Sequence, residues 1–318
     1  MTTNGEGSNR QLVASWSAAT VSGCRPVAGW TIVGKARLDG GDRRNVDRLR
    51  RACEAAARLD LKIELDEADH LGRPIHFLAT AGDVLIGYAG VTAGDEAEAC
   101  GMVHPSWRRR EVGTALLGDL GAAARSLARE SILVICEDAG PPALAWMRRL
   151  GATIESAERR MVLRVAEAAA TPDAPLEIRQ ATDADHDAVV AILGEEFADR
   201  PDEERLVGLE GDAVVGTLRV TQSSRTMIYG FVVDEPRRGL RLGTRMLAAV
   251  VALLRHRGVG EVGLEVDPDN TSAVRLYERS GFAMVTTYRY MRLSVTRPEP
   301  QGPGRAPERH AGVRSPGV

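Results

Sequence analysis

The sequence predicts an α+β fold, layered as α/β, in two tandem domains that each hold a mixed, mostly antiparallel twisted sheet flanked by helices. Three observations lead to this prediction. The chain repeats itself at an offset of 130 residues, from Val103 and again from Val233. Each repeat alternates β-rich runs with helical patterns. A length of 318 residues with 44% hydrophobic residues is enough for two cores.

The repeat needs no gap across its whole interval. VHPSWRRREVGTALL begins at Val103 and VDEPRRGLRLGTRML begins at Val233, and the later pair LGA and SGF keeps the same offset. Upstream, AGDVLIGYAGVT (81–92) matches EGDAVVGTLRVT (210–221), and both read as a hairpin turn at Gly-Asp followed by a strand. Three matches in register indicate a duplicated domain.

The elements of the second repeat follow one another in a clear order. Strand IRQAT precedes a helix whose N-cap is Thr182 or Asp183. After a meander of strands come strand MIYGFVVDE (227–235), a glycine-bearing loop, a long apolar helix (245–258) and strand EVGLEVD (261–267). A short helix and a last strand complete the repeat. In the first repeat, SILVICE (131–137) is the counterpart of EVGLEVD.

Composition sets the boundaries between segments. Residues 1–28 are polar and aperiodic, and 297–318 are rich in Pro, Gly and Arg, so both are expected to be disordered tails. The Ala- and Pro-rich segment 166–175 reads as a linker. The predicted domains are therefore residues 29–165 and 176–296.

Composition also excludes several functions. A net charge of −3 argues against nucleic-acid binding, and no apolar run is long enough for a membrane span. The N-terminus lacks a signal-peptide pattern. The four cysteines are widely spaced with no C-x-x-C, which predicts reduced thiols in a cytoplasmic protein and no metal site.

The stretch RRGLRLGT (237–244) carries the clearest functional signal. It joins a strand to the start of a helix, and its glycines allow the backbone to approach a ligand closely. Helix N-termini offer unpaired N–H groups and the positive end of the macrodipole. The stretch therefore predicts a phosphate-binding loop.

Two strings in the second repeat resemble the GNAT N-acetyltransferase superfamily. They are RGLRLG (238–243) after V-D-E-P, and NTSAVRLYERSGF (270–282), which fits the family pattern N-x-x-A-x-x-L-Y-x-x-x-G-F. The resemblance covers both halves, so the chain looks like a tandem-GNAT protein. It implies acetyl-CoA as cosubstrate and a small-molecule or peptide amine as acceptor.

The resemblance also implies a set of cofactor-binding residues. The CoA pyrophosphate would lie on the loop and helix start, and pantetheine would lie against a strand that diverges from its neighbour. The implied residues are Phe231, Val232, Val233, Arg238, Gly239, Leu240, Arg241, Leu242, Gly243, Thr244 and Asn270. The family usually has glycine where this chain has Arg241. Because arginine avoids positive φ, a helical-type backbone is expected there. Its side chain either adds phosphate-binding charge or is solvated.

The same resemblance suggests the catalytic residues. Tyr277 stands where the family has its general acid, although it could also be only a packing residue of its helix. Asn270 is expected to cap that helix and to contact the cofactor. Glu265 is the preferred candidate for the general base. Asp267, Glu235, Tyr229 and a water relay remain alternatives.

The first repeat is expected to be inactive. Its loop reads RRREVG, so both early glycine positions are lost and Glu111 brings a like charge to the expected phosphate site. Gly140 and Met147 replace Asn270 and Tyr277.

The two repeats are expected to pack as an internal pseudo-dimer, which predicts a monomer. VHP-x-x-RRR and VDPDNTSAVRLYERSGF also look similar to mycothiol synthases, a tandem-GNAT family with a degenerate first domain. A non-catalytic acyl-CoA-binding regulator is the alternative from another class.

Overall fold

The computed structural model describes residues 29–63, 73, 75–92, 96–168, 176–194, 203–222 and 225–296. The predicted tails 1–28 and 297–318, most of the predicted linker and Cys24 lie outside these residues. The described chain forms twelve strands and six α-helices. The strands are β1 Thr31–Lys35, β2 His76–Ala81, β3 Val84–Val91, β4 Glu98–Val103, β5 Ser131–Glu137, β6 Thr153–Arg164, β7 Glu177–Gln180, β8 Glu203–Glu210, β9 Ala213–Gln222, β10 Thr226–Val233, β11 Glu261–Val266 and β12 Ala283–Ser294. The helices are α1 Gly40–Ala57, α2 Val112–Ser126, α3 Pro141–Arg149, α4 His186–Leu193, α5 Leu242–His256 and α6 Thr271–Arg279.

All twelve strands join one sheet in the order β1-β2-β3-β4-β5-β12-β6-β11-β10-β9-β8-β7. Among the described pairs, β4–β5 and β10–β11 are parallel and the others are antiparallel. The mixed, mostly antiparallel α+β architecture is therefore confirmed. The Gly-Asp turns also form, with Gly82 at φ 57° and Gly211 at φ 61°. The two expected sheets, however, are joined edge to edge.

The join is an exchange of strands that the sequence does not reveal. The last strand of the first repeat, β6, pairs with β11 of the second repeat. The last strand of the second repeat, β12, pairs with β5 of the first repeat. The two exchanged strands pair with each other at the centre of the sheet. A cut at residue 165 would separate each core from a strand that completes it.

The hydrophobic cores follow the exchange. Helices α2 and α3 cover a core in which Met291, Leu293 and Val295 from the second repeat are buried. Helices α5 and α6 cover a core that buries Met161, Leu163 and Val165 from the first repeat. These four helices lie on one face of the sheet, whereas α1 and α4 pack on the other.

The two helices of this second face differ in length. Helix α1 has 18 residues and begins at a capping box formed by Asp39 and Asp42. Helix α4 has 8 residues and ends at Gly194, which takes the left-handed conformation at the C-cap. The helical sequence pattern HDAVVAILGEEF runs on to Phe197, and its last three residues lie outside the described residues.

The exchange predicts that a cavity in β6 weakens the second repeat. Leu163→Ala removes a buried side chain from the core under α5 and should cost about 2–5 kcal/mol. Hydrogen exchange should accelerate most in α5 and β11. The matched variant is Leu293→Ala, at the same offset in β12, which should accelerate exchange in α2 and β5 instead. Faster exchange confined to each variant's own repeat would contradict the exchanged packing.

Candidate functional site

The loop 238–243 holds a specific backbone conformation at the start of α5. The Arg238 Nε donates to the Val233 carbonyl at 3.3 Å, which closes the loop onto the end of β10. Gly239 has φ +83°. Arg241 has φ 60° and ψ 13°, in the left-handed region. The expectation of a helical-type backbone at Arg241 was therefore wrong. The arginine carries a strain of about 1–2 kcal/mol at a position where glycine would carry none.

Gly243 brings three elements close together. A Cβ added there would lie 3.3 Å from Leu276 Cδ2 on α6 and 3.7 Å from Val233 Cγ2 on β10. A larger residue would push α5 away from both. Because Gly243 and Thr244 belong to the first turn of α5, their backbone N–H groups have no partner within the helix. The loop thus presents backbone donors at the positive end of a 15-residue helix.

Strands β10 and β11 diverge beside this loop. Their pairing covers only Met227↔Gly263 and Ile228↔Leu264. Beyond that point the register of β10 against β9 shifts between Tyr229 and Val232, with Gly230 at φ +55°. A bulge of this kind bends a strand away from its neighbour. Residues 231–233 therefore lie past the last β10–β11 pair, as the sequence predicted.

A cleft of about 1360 Å³ connects the loop, the diverging strand and α6. Ten of the eleven expected cofactor residues line it, together with Tyr277. The exception is Leu240, which is 63% exposed and points away. The described lining also holds five arginines and no Asp or Glu, so its charge suits an anionic ligand: Arg237, Arg238, Arg241, Arg255 and Arg279.

Tyr277 forms part of the cleft wall from α6. Its ring centroid lies 6.3 Å from that of Phe231 and 5.7 Å from that of Phe282, and the residue is 6% exposed. Burial raises the pKa of Tyr277 to about 12, so the phenol keeps its proton at neutral pH. At the start of the same helix, the Asn270 side chain accepts from the Ala273 N–H at 3.1 Å, which confirms the predicted cap.

Glu265 lies outside the cleft. The alternation of β11 buries Val262, Leu264 and Val266 under α5, so Glu265 faces the opposite side of the sheet. There its Oε2 accepts from Lys62 Nζ at 2.7 Å. Burial raises the pKa of Glu265, and the charge of Lys62 offsets part of that rise. Glu265 is the first residue of β11 after Leu264, which is the last β11 residue that pairs with β10.

The other candidates for the base have different surroundings. The Asp267 carboxylate accepts from the Asp269 N–H at 2.7 Å in the turn after β11, which is a structural role. Glu235 is largely exposed and lies 3.7 Å from Arg238. On β10, the sulfur of Met227 lies 3.2 Å from the buried Arg160, which is the cross-strand partner of Glu265. Tyr229 follows Met227 by two residues, so its side chain lies on the same face of the sheet as Glu265.

The first repeat keeps the loop conformation without the glycines. Arg109 has φ 61° where the second repeat has Gly239, and Glu111 has φ 60° where it has Arg241. The Arg108 Nε donates to the Val103 carbonyl at 3.2 Å, as Arg238 does to Val233. The loss of the early glycines therefore changes the strain and charge of this loop, but not its backbone path.

Sequence reasoning missed the charged residues on the far face of the sheet. Lys62 and Asp60, in the segment after α1, contact strands of both repeats. One signal was present, because the chain has only two lysines among its 318 residues and Lys62 is one of them. Its partners, however, lie 96 to 228 residues away along the chain.

The strain at Arg241 predicts a difference between two variants. Arg241→Gly and Arg241→Ala both remove the guanidinium, but only glycine adopts φ 60° without steric cost. The glycine variant should therefore be more stable than the alanine variant by about 1 kcal/mol. The free energy of unfolding in urea measures this difference. A more stable alanine variant would contradict the left-handed loop.

Comparisons with known proteins agree with this architecture. The model of the acetyltransferase (GNAT) family matches residues 44–152 and 173–282. A mycothiol acetyltransferase of Sanguibacter keddieii is 30% identical over 308 residues, with 78% of this chain and 92% of that protein covered. One from Salinispora arenicola is 30% identical over 66% of this chain and 79% of that protein.

Solved structures share the fold. A GCN5-related N-acetyltransferase from Sphaerobacter thermophilus has a TM-score of 0.69 at 22% identity, covering 86% of this chain and 97% of that one. A tandem GNAT protein from the clavulanic acid biosynthesis pathway has a TM-score of 0.59 at 18% identity, covering 84% and 99%. Among the described residues, no helix is both long and apolar enough to cross a membrane. With both repeats matched by the family model, this chain belongs to the GNAT acetyltransferase family, as a tandem member and an acyltransferase.

Proposed function

We propose that this protein transfers an acetyl group from acetyl-CoA to a primary amine, by direct attack, in its second repeat. The observation that carries the proposal is the cleft in which the α5 loop, the diverging end of β10 and Tyr277 meet. Acetyl-CoA, when bound, supplies the acetyl group as a thioester. The residues of this chain bind, orient and exchange protons with the reactants.

The cleft suits a CoA thioester along its whole length. Backbone N–H groups at the start of α5 and the lining arginines suit a negatively charged pyrophosphate. Two of these arginines are also ion-paired within the protein, Arg237 with Glu210 and Asp234, and Arg238 with Glu235. Residues 231–233 offer strand backbone without a β11 partner, to which an extended amide-bearing chain adds as a further strand. Asn270 lines the cleft at the start of α6, next to the loop.

Tyr277 is the proposed general acid. Tyr277 lines the cleft and its phenol is protonated at neutral pH, so it can supply a proton to the leaving thiolate. Its ring is fixed between Phe231 and Phe282, so the hydroxyl has little freedom to move. On the opposite face, Glu265 stands at the opening between β10 and β11 and is the proposed base, either directly or through a water relay.

The first repeat is proposed to be inactive. Met147 replaces the acid, and Ile135 stands at the position of Glu265. The ring of Trp146 lies 3.6 Å from the place of a Cβ on Gly113, at the start of α2. On the acceptor face, α1 buries Val46, Leu49 and Cys53 against the sheet, where an acceptor would have to enter.

The acceptor of the mycothiol acetyltransferases is a second, narrower candidate. One relative with that name, from Sanguibacter keddieii, matches 78% of this chain at 30% identity. The corresponding acceptor is a cysteinyl amino-sugar with a primary amine.

We further propose a cytoplasmic monomer. The described cysteines Cys53, Cys100 and Cys136 are buried and form no disulfide, and the central strand pairing is already made within one chain.

Calorimetric titration of acetyl-CoA tests which repeat binds it. Gly243→Trp should abolish binding, because a side chain there meets Leu276 and fills the cleft. The matched variant Gly113→Trp should bind as the wild type does. Circular dichroism and thermal unfolding check that both variants are folded. Binding lost only in Gly113→Trp would reverse the assignment of the repeats, and no binding in any protein would overturn the proposed cosubstrate.

Tyr277→Phe tests the acid. The change removes one hydroxyl and leaves the ring packed, so acetyl-CoA affinity should be unchanged while kcat falls about 10²–10⁴-fold. Release of CoA thiol is measured with a cysteinyl amino-sugar and with simple primary amines. Wild-type turnover in the variant would assign the proton transfer to another group. Acetyl-CoA binding without turnover by the wild type would favour a non-catalytic acyl-CoA-binding regulator.

A further inference from the structure

The segment 58–63 follows α1 and crosses the centre of the sheet on the face opposite α5. It belongs to the first repeat, but its side chains contact the exchanged strands and the second repeat. Its contacts with β5, β6, β11 and β12 are made by Asp60 and Lys62. This face lies over the opening between β10 and β11, where the acceptor has to approach.

Asp60 anchors the segment. Its carboxylate ion-pairs with Arg160 on β6 and lies 2.9 Å from Arg225 Nη1 in the second repeat. Its backbone N–H donates to the Glu137 carboxylate at 3.0 Å, and its carbonyl accepts from the Tyr288 hydroxyl at 2.8 Å. Four residues thus hold the side chain and backbone of Asp60 in place. The position of Lys62, two residues later, is fixed as a consequence.

Lys62 contacts Glu265 from this position. Its Nζ lies 2.7 Å from Glu265 Oε2, 2.7 Å from the Tyr290 hydroxyl and 3.2 Å from Glu158 Oε2. The Tyr290 hydroxyl also donates to Glu158. The Lys62 and Glu265 side chains are 14% and 11% exposed, so solvent screens their interaction little. Without the ammonium, two carboxylates would share a half-buried site.

Among the described residues, the first repeat has no counterpart of this arrangement. At the offset of 130 residues, Ile135 stands for Glu265, and it packs against Leu133, Tyr288 and Tyr290. Within the described ranges, the charged cluster is therefore found only beside the strand opening of the repeat that carries Tyr277. The strands of the cluster lie in the order β5, β12, β6 and β11. They alternate between the first and the second repeat, because β6 and β12 are exchanged.

We propose that Lys62 of the first repeat is a positioning residue of the second repeat's active site, which fixes the Glu265 carboxylate at the opening between β10 and β11 and keeps it ionised. This role rests on the proposed function. The repeat that lacks catalytic residues of its own thus completes the acceptor side of the other.

The charges around Glu265 determine the expected pH effect. Burial raises its pKa, Glu158 adds to the rise, and Lys62 and Arg160 lower it. The titratable groups on this face come from the segment 58–63, β6, β10 and β12, and they are Lys62, Glu158, Arg160, Tyr229, Tyr288 and Tyr290. Removing Lys62 leaves Glu158 less opposed, so the pKa of Glu265 should rise. A base must be deprotonated to act, so the acid limb of the rate should move to higher pH.

The first experiment tests the contact without any acceptor. Because the chain has two lysines, ¹³C at the lysine ε-carbon gives two NMR signals, which Lys35→Arg assigns. Glu265→Gln should shift the Lys62 signal and leave Lys35 unmoved. Lys35 serves as an internal control, since it is also ion-paired, with Asp42 at 2.6 Å, but lies far from the cluster along the sheet. An unmoved Lys62 signal would overturn the proposal.

The second experiment measures kcat/KM against pH with acetyl-CoA and the cysteinyl amino-sugar acceptor. Lys62→Met should move the acid limb upward by about one pH unit, a tenfold loss on that limb, with the KM for acetyl-CoA unchanged. Lys62→Arg keeps the charge and should leave the limb near its wild-type position. Lys35→Met removes the other ion-paired lysine and should match the wild type throughout.

The outcomes separate the two proposals. A wild type that turns over, together with an unshifted limb in Lys62→Met, would overturn the role of Lys62 and leave the function intact. Faster turnover in Lys62→Met would also overturn it, because Lys62 would then obstruct the acceptor. A wild type that neither binds acetyl-CoA nor releases thiol would overturn the function itself, and with it the role of Lys62.

Discussion

The antiparallel pairing of β6 with β12 is the contact on which the rest of the structure depends. Each of these strands is the end of one repeat and completes the sheet and the core of the other. Met161 and Leu163 are buried under α5, and Met291 and Leu293 are buried in the core under α2. Neither core closes without the other half, so the two repeats form one cooperative unit even though their sequences divide cleanly.

The two loops that precede α2 and α5 illustrate how packing overrides local conformational preference. In both repeats a residue with a side chain takes φ 60° at the position before the helix, Glu111 in one and Arg241 in the other. In both, an arginine Nε fixes the loop to the carbonyl at the end of the preceding strand. The surrounding contacts, together with the first turn of the following helix, hold the loop in a left-handed conformation that its residues disfavour in isolation.

Much of this architecture could be predicted from the sequence because its signals are local. The Gly-Asp turns, the Asn270 cap and the strand–loop–helix succession all depend on residues within a few positions of one another. The loop residues and Tyr277 fall along one cleft because the start of α5 packs against α6 next to Tyr277, where Gly243 meets Leu276. The backbone of Arg241 was predicted wrongly, since a rule based on φ preference does not include the tertiary contacts that enforce the strain.

The strand exchange and the Lys62 cluster could not be predicted for a different reason. Over their last six residues, 159–164 and 289–294, β6 and β12 carry the same pattern of buried and exposed residues, so this pattern does not tell which core either strand completes. Lys62 and Glu265 are 203 residues apart, and no periodicity connects them. Such contacts follow from the topology, which a duplicated sequence leaves ambiguous between exchanged and unexchanged strands.

The strand exchange has a consequence for how the two repeats can change. In a homodimer built from one repeat, two-fold symmetry would copy every substitution into both subunits, so a lost acid would be lost twice. Here the exchange takes place within a single chain. The symmetric scaffold is kept, but each position exists once. The first half can therefore carry Met147 and Ile135 at the positions of Tyr277 and Glu265, while β6 still pairs with β11 and Lys62 still contacts Glu265 of the second half.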